Sequence, residues 1–198
     1  MINENFILLG VGLQLIGGLG YLLDTLKGKV KPNKVSWLLW SLAPLIAFFA
    51  EIKQGVGILS LTTFVAGFVP FLIFIASFLN KKAEWKLKTF DLVCGALSIL
   101  GLVFWMVTKV GNIAIFFSIL ADALASVPTV VKAYKQPETE NGLVFFMSLF
   151  NSGIGLLVIK TWNFQHVGFP LYLLINAIIF VVLIYGKLGK WLPKKNRA

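Results

Sequence analysis

The residues of this chain that could do chemistry are few, and they lie inside long apolar stretches. Asp122 occupies the middle of one such stretch, with Ser118 and Ser126 four residues to either side, so all three share one helix face. A carboxyl group inside a membrane costs free energy unless it is paired or lines a wet cavity. Such a group can bind and release a proton during transport. We therefore predict Asp122 as a proton-coupling residue; the alternative is a structural, hydrogen-bonded carboxyl.

Uncharged polar side chains form a second group of candidates. Ser148, Asn151 and Ser152 have the i, i+3, i+4 spacing of a single helix face, and Asn176 and Gln14 each lie near the middle of another apolar stretch. Amide side chains carry both hydrogen-bond donors and acceptors, which suits an uncharged, hydroxylated substrate. We predict that Gln14, Ser148, Asn151 and Asn176 bind substrate. The two serines could instead serve to bring helices close together.

Two tryptophans and two prolines complete the set of candidates. Trp37 and Trp40 are three residues apart, so in a helix Trp40 lies deeper by roughly 4–5 Å. Trp40 is predicted to stack against a sugar ring or a heteroaromatic ligand, with plain packing as the alternative, and Trp37 to join an aromatic belt at the membrane surface. Pro44 and Pro128 remove helix hydrogen bonds and are predicted hinges.

Composition argues against catalysis and against a soluble fold. The chain has one cysteine, Cys94, and one histidine, His166. One cysteine is too few for a Cys-based metal site, and a single histidine leaves little basis for Ser-His-Asp catalysis. Hydrophobic residues make up 58% and charged residues 13%, whereas roughly a quarter of residues are charged in soluble domains. We predict a membrane protein that is not an enzyme and has no cofactor.

Seven apolar stretches bracket the roughly 20 residues that a helix needs to cross a hydrocarbon core. They are residues 6–23, 35–50, 55–79, 92–108, 113–131, 142–159 and 167–186. The sequence therefore predicts an all-α integral membrane protein with seven transmembrane helices, forming one membrane domain over residues 1–198.

The distribution of basic residues predicts the orientation. With seven spans, all but three of the 18 Lys and Arg residues fall on one side, and the other side receives Lys53, Lys109 and Lys160. Cytoplasmic loops carry such an excess, so we predict a cell-membrane protein with its N-terminus outside and a basic cytoplasmic tail at 187–198. The net charge of +10 then points to membrane lipid as a partner and not to nucleic acid. Asp24 and Asp91, among these lysines, are predicted to form salt bridges or caps.

Weak internal similarity suggests a repeat, since Ser41-Leu42 recurs as Ser148-Leu149 and Lys53 recurs as Lys160 at the same spacing. The stretch 128–135, Pro-Thr-Val-Val-Lys-Ala-Tyr-Lys, and the segment 136–141 that follows it resemble the PQ-loop motif. SWEET and SemiSWEET sugar transporters, cystinosin-type exporters and KDEL receptors share that motif, although Thr129 stands here where the motif has glutamine.

This resemblance implies two parallel three-helix bundles, residues 6–79 and 113–186, joined by an inverting linker helix within 80–112. It also implies that Asn176 faces a sugar. The expected function is a carrier that moves a small neutral solute, with a sugar as the first candidate, by alternating access and with proton coupling through Asp122.

Three alternatives stay open: a proton-coupled amino-acid carrier, a vitamin carrier of the nicotinamide-riboside type, which uses paired tryptophans, and a KDEL-receptor-like receptor. The receptor is disfavoured because carboxylate recognition favours buried Arg or Lys, whereas the single arginine, Arg197, lies in the tail and no lysine falls inside a predicted span. The sequence leaves open whether the protein is a monomer or a homo-oligomer.

Overall fold

Seven α-helices make up most of the structure, a computed structural model that describes residues 5–53, 60–108 and 111–190. The helices are α1 (Phe6–Leu26), α2 (Lys34–Lys53), α3 (Ser60–Ala76), α4 (Thr89–Val107), α5 (Gly111–Lys135), α6 (Gly142–Val158) and α7 (Phe164–Gly186). The described ranges contain no strand. The predicted start of the third span at Gly55, Lys109 and the tail from Trp191 onward lie outside the described residues.

Four of these helices are long and apolar enough to cross a membrane, by length and composition: Phe6–Leu26, Thr89–Val107, Ile115–Lys135 and His166–Gly186. Three shorter apolar helices accompany them, at Lys34–Ile46, Ser60–Ala76 and Gly142–Val158. The predicted all-helical class and the count of seven helices are confirmed over the described part of the chain, and the apolar helices support membrane embedding.

Small residues allow the helices to pack closely. α1 packs against α3 and α6, α2 against α3, α4 and α5, α4 against α5, and α7 against α5 and α6. A Cβ atom on Gly17 would lie 2.9 Å from the Cβ of Met147, and one on Gly101 would lie 3.0 Å from the Cβ of Ala121. These glycines permit the backbones of α1 and α6, and of α4 and α5, to approach each other.

The segments that follow α1, α3, α5 and α7 meet at one end of the molecule. The Lys31 N–H donates to the Thr139 carbonyl at 2.9 Å, and the Asn80 amide donates to the Leu26 carbonyl at 2.7 Å. Gly28 turns the chain after α1 with a φ of 70°, where a side chain would be strained. We call this end, residues 27–33, 77–88, 136–141 and 187–190, the basic end.

The main hydrophobic core lies next to the basic end. Tyr21, Ile73 and Phe180 are fully buried there, and Trp37 is only 2% exposed. The predicted place of Trp37 in a surface belt is therefore wrong. The Tyr21 ring packs on Trp37 at 4.6 Å between centroids, and Pro32 and Asn33 just before α2 are buried, so the first turns of α2 pack inside the protein.

Asp91 caps the helix α4, which confirms the capping predicted for it. Its carboxylate accepts from the Lys88 N–H at 2.7 Å and from the Asn33 amide at 3.0 Å, and both Asp91 and Asn33 are buried. Asp24 accepts from the Asn141 amide at 2.6 Å and lies 3.8 Å from the Lys29 ammonium, in agreement with the predicted pairing.

Asp91→Ala is expected to lower the free energy of unfolding by about 1–3 kcal/mol, because α4 loses its cap and the Asn33 amide is left buried without its acceptor. Unfolding of detergent-purified protein measures the effect. Glu84→Ala, which removes an exposed carboxylate from the segment before α4, is the control and should change little. Equal stability of the two variants would contradict the role assigned to Asp91.

Candidate functional site

A cavity of about 140 Å³ lies between the helices, and it brings together the predicted site residues. For comparison, a cavity of ~150 Å³ holds a benzene-sized molecule, so the space suits a solute with one ring. All six side chains predicted for binding or coupling line it: Gln14, Trp40, Asp122, Ser148, Asn151 and Asn176. Five different helices therefore contribute polar or aromatic groups to one site.

One wall of the cavity is formed by α1 and α6. The Ser148 hydroxyl lies 2.9 Å from the Gln14 side-chain oxygen and 2.9 Å from the Val144 carbonyl of its own helix, so its single hydrogen has two acceptors within reach. The Gln14 side chain carries amide N–H donors as well as an acceptor oxygen at the cavity wall. Gly10 makes room for Asn151, since a Cβ atom on Gly10 would overlap the Asn151 side-chain oxygen.

The opposite wall is formed by α5 and α7. The Tyr172 hydroxyl donates to the Asp122 carboxylate at 2.7 Å, and the Ser126 hydroxyl lies 3.4 Å from the Asn176 side-chain oxygen. The Ser118 hydroxyl donates to the Ile115 carbonyl of its own helix and does not line the cavity. Asp122 therefore faces the cavity with a phenol beside it, and its predicted neighbour Ser118 plays no part in the wall.

Aromatic rings form the floor of the cavity toward the basic end. Trp40 makes edge-to-face contacts with Phe145 at 6.4 Å and Phe180 at 6.0 Å, and these two phenylalanines stack at 4.1 Å. The Trp40 indole nitrogen is buried and has no hydrogen-bond partner. An unpaired buried donor is unfavourable, so a solute oxygen that reached this nitrogen would gain free energy.

Several lining residues were missed by sequence reasoning. Phe145, Phe169 and Phe180 are three of 18 phenylalanines, and nothing in an apolar run distinguishes a ring that lines a cavity from one that faces lipid. Tyr172, which reaches the site through its hydrogen bond to Asp122, carried a usable signal, because it is a polar aromatic residue one turn before Asn176. Its contact with Asp122 depends on the packing of α5 against α7.

The prolines lie where the hinge prediction placed them. Pro44 and Pro128 are inside α2 and α5, and Pro44 also lines the cavity. Thr129, next to Pro128, donates its hydroxyl hydrogen to the Ser36 hydroxyl at 2.8 Å and so joins α5 to α2. That either proline acts as a hinge stays a prediction.

A buried ion pair lies at the basic end, below the aromatic floor. The Lys132 ammonium is 2.7 Å from the Glu140 carboxylate, and both side chains are fully buried. Tyr21 donates its hydroxyl hydrogen to Glu140 at 2.6 Å, and Lys132 also donates to the Lys31 carbonyl. The Trp85 ring lies 5.2 Å from the ammonium.

This arrangement corrects the expectation that no lysine falls inside a span. The fifth helix continues past its predicted end at residue 131 to Lys135, which carries Lys132 into the protein interior. Glu140, on the following segment, neutralises the ammonium and makes its burial tolerable.

An exposed ion pair is found at the same end of the molecule. The Lys190 ammonium lies 3.0 Å from the Glu138 carboxylate, and about half of each side chain is accessible. A backbone hydrogen bond together with Lys190 holds the pKa of the Glu138 carboxyl below its ordinary value. This pair is a natural control for the buried one.

The fold and the site define a class of structure: an apolar seven-helix protein with a polar and aromatic cavity between its helices. Among the described residues, no three His, Cys, Asp or Glu side chains are grouped closely enough to hold a metal ion. No family model, curated protein or solved structure matches this chain.

Proposed function

We propose that this protein is an alternating-access carrier for a small neutral solute, with a sugar as the first candidate. The observation that carries the proposal is the convergence of Gln14, Trp40, Asp122, Asn151 and Asn176 on one cavity inside an apolar protein. Polar side chains at such positions are unfavourable unless they face one another, water or a ligand. A central cavity between helices is where a carrier binds its solute.

The proposed architecture is a pair of three-helix bundles, α1–α3 and α5–α7, with α4 as the inverting linker. Helix packing supports it. Exchanging α1 with α5, α2 with α6 and α3 with α7 turns the pair α1·α3 into α5·α7, α2·α3 into α6·α7, and α1·α6 into α5·α2. All six of these pairs are in contact, as a two-fold relation between the bundles requires. The resemblance to PQ-loop and SWEET-like transporters is part of this proposal.

We assign the basic end to the cytoplasm of a cell whose plasma membrane holds the protein. The lysines of its connecting segments are the reason, because short cytoplasmic loops carry the excess of positive charge. The N-terminus is then outside. In this state the cavity is closed toward the cytoplasm, since the buried core of Tyr21, Trp37 and Phe180 lies between it and the basic end.

The hydrogen-bonding groups of the cavity describe the solute. The amide nitrogens of Gln14 and Asn176 and the buried indole nitrogen of Trp40 supply N–H donors, and the indole has no partner among the described residues. Asp122 is an acceptor. A solute with several oxygen acceptors, at least one hydroxyl or N–H donor and a flat or ring-shaped apolar face matches this set, as a monosaccharide does.

A vitamin of the nicotinamide-riboside type is the second candidate. Its support is that Trp37 and Trp40 both line the cavity, with Phe145 and Phe180 beside them, and such rings suit a heteroaromatic solute. An amino acid, or a peptide carboxylate as in a KDEL-like receptor, has less support. In the part of the chain that the structure describes, no Lys, Arg or His lines the cavity, and Lys132 is already paired with Glu140.

Thermal unfolding in detergent against monosaccharides, nucleosides and amino acids tests the proposal. A bound solute at 100 times its Kd is expected to stabilise the protein by about 2.7 kcal/mol. Asn176→Ala should weaken binding by about tenfold or more, whereas Ser118→Ala, whose hydroxyl is bonded within its own helix, should not. Absence of both stabilisation and uptake across all these solutes would refute the carrier assignment.

A further inference from the structure

Four residues at the basic end join the two halves of the protein. Tyr21 and Lys31 belong to the first half, and Lys132 and Glu140 to the second. Tyr21 donates to Glu140, Lys31 accepts from Lys132, and Lys132 pairs with Glu140. The contacts of Glu140 with Tyr21 and Lys132 are buried, and the contact of Lys132 with the Lys31 carbonyl is partly buried. We propose that these four residues, called the latch below, hold the cavity shut at the basic end and open when the carrier changes state; this inference rests on the proposed function.

The position of the latch supports the proposal. Trp37 lines the cavity and also packs on the Tyr21 ring at 4.6 Å, so one side chain separates the solute space from the latch. On the far side of the latch, the Lys31 N–H is bonded to Thr139, within the segments that form the basic end. A solute that leaves the cavity toward this end must pass where the latch now joins the two halves.

The chemistry of the latch suits a contact that opens and closes. Attraction between two buried charges is offset by the water that both have lost, so a buried ion pair adds little net stability. When the halves separate, water returns to Lys132 and Glu140 and compensates for the lost contact. A purely apolar seal would instead expose its apolar surface to water, which is unfavourable in proportion to the area exposed. The contact between Lys132 and Glu140 can therefore close the cavity and still break with a small change in free energy.

A continuous series of contacts links the latch to the solute site. Trp40 contacts Trp37 edge to face at 5.3 Å, Trp37 contacts Tyr21, and Tyr21 is bonded to Glu140 at 2.6 Å. A solute that packs on Trp40 is therefore connected to Tyr21 through one ring, that of Trp37. This series gives occupancy of the cavity a physical route to the latch.

The experiment measures access to the cavity and needs no solute. Ala177, which is buried and lines the cavity, is changed to cysteine in a Cys94→Ala background. A membrane-impermeant maleimide is then applied to membrane vesicles separately from each side. Lys132→Met and Glu140→Gln are expected to raise the labelling rate from the basic end by about tenfold or more, since each leaves an unpaired buried charge or donor that favours the hydrated, open state. Tyr21→Phe, which removes one hydrogen bond, should raise it less.

The exposed pair at the same end is the matched control. Lys190→Met and Glu138→Gln remove charges of the same kind without breaking a buried contact, and labelling should stay at the parent rate. Unchanged labelling in folded Lys132→Met and Glu140→Gln would overturn the latch. An equal increase in the control variants would also overturn it, because the effect would then be one of surface charge.

A triple variant separates an opened latch from a damaged fold. Tyr21→Phe/Lys132→Met/Glu140→Leu replaces the polar latch with apolar side chains of similar size, which often keeps or raises stability. It is expected to be labelled no faster than the parent and to unfold at the same temperature or higher. Fast labelling of the folded triple variant would refute the proposal. If the single charge variants do not fold, Tyr21→Phe and the triple variant decide the matter. The labelling experiment tests the latch, and the solute-binding experiment tests the carrier function. A failure of one proposal is therefore distinguishable from a failure of the other.

Discussion

Asp122→Asn is expected to abolish the response of solute uptake to an imposed pH gradient in proteoliposomes. Asparagine keeps the shape of the side chain and its place beside Tyr172, but its amide cannot take up or release a proton at the pH values of the gradient. Among the described residues that line the cavity, Asp122 is the single carboxyl and there is no Lys or His, so no neighbouring group of this set can replace it. The initial uptake rate with and without the gradient is the measurement.

Two further variants make this result specific. Asp24→Asn changes a carboxyl that is bonded to Asn141 at the basic end, outside the cavity, and it should keep the gradient response. Tyr172→Phe keeps the carboxyl and removes its 2.7 Å hydrogen bond, so the response should persist at a changed rate. Gradient-driven uptake at the parent level in Asp122→Asn would leave Asp122 as a structural residue and end the coupling hypothesis.

Lys132→Met is expected to lower the free energy of unfolding by about 3–5 kcal/mol. The methionine fits the space of the lysine stem, but Glu140 is left fully buried without its counter-charge, and the Lys31 carbonyl loses its donor. Chemical or thermal unfolding in detergent measures the loss. The size of this effect exceeds what any exposed lysine of the chain should show.

Lys190→Met is the comparison for this loss of stability. Its ammonium is about half exposed and pairs with an equally exposed Glu138, so its removal should cost about 0–1 kcal/mol. A Lys132→Met variant as stable as Lys190→Met would show that Glu140 is hydrated or neutral in the folded protein. The buried ion pair, and with it the latch, would then have to be abandoned.

Much of the architecture follows from composition and charge alone. Apolar stretches long enough for membrane helices predict an all-helical protein, because a backbone in lipid must satisfy its own hydrogen bonds. The described residues form seven α-helices at the positions of the seven apolar stretches, with ends that differ by a few residues. The difference between predicted and observed helix ends that matters most is at α5. This helix extends four residues beyond its predicted end, and the extension contains the buried Lys132.

The candidate site was also partly readable from the sequence. Asp122, Asn151 and Asn176 attract notice because a polar side chain in an apolar run has a high free energy unless something compensates it. That rule selects individual positions, and it does not say which of them meet. Their convergence on one cavity, together with Gln14 and Trp40, comes from the packing of five helices.

The sequence by itself determined the all-helical class, the apolar helices and the unequal distribution of lysines, since these depend on local hydropathy and charge. Only the tertiary structure decided which residues face each other. Tyr21 and Glu140 are 119 positions apart and meet at 2.6 Å, and Trp37 is buried where a surface position was predicted. Hydropathy describes how each side chain interacts with its solvent, whereas the cavity and the latch depend on contacts between helices that are distant in the chain.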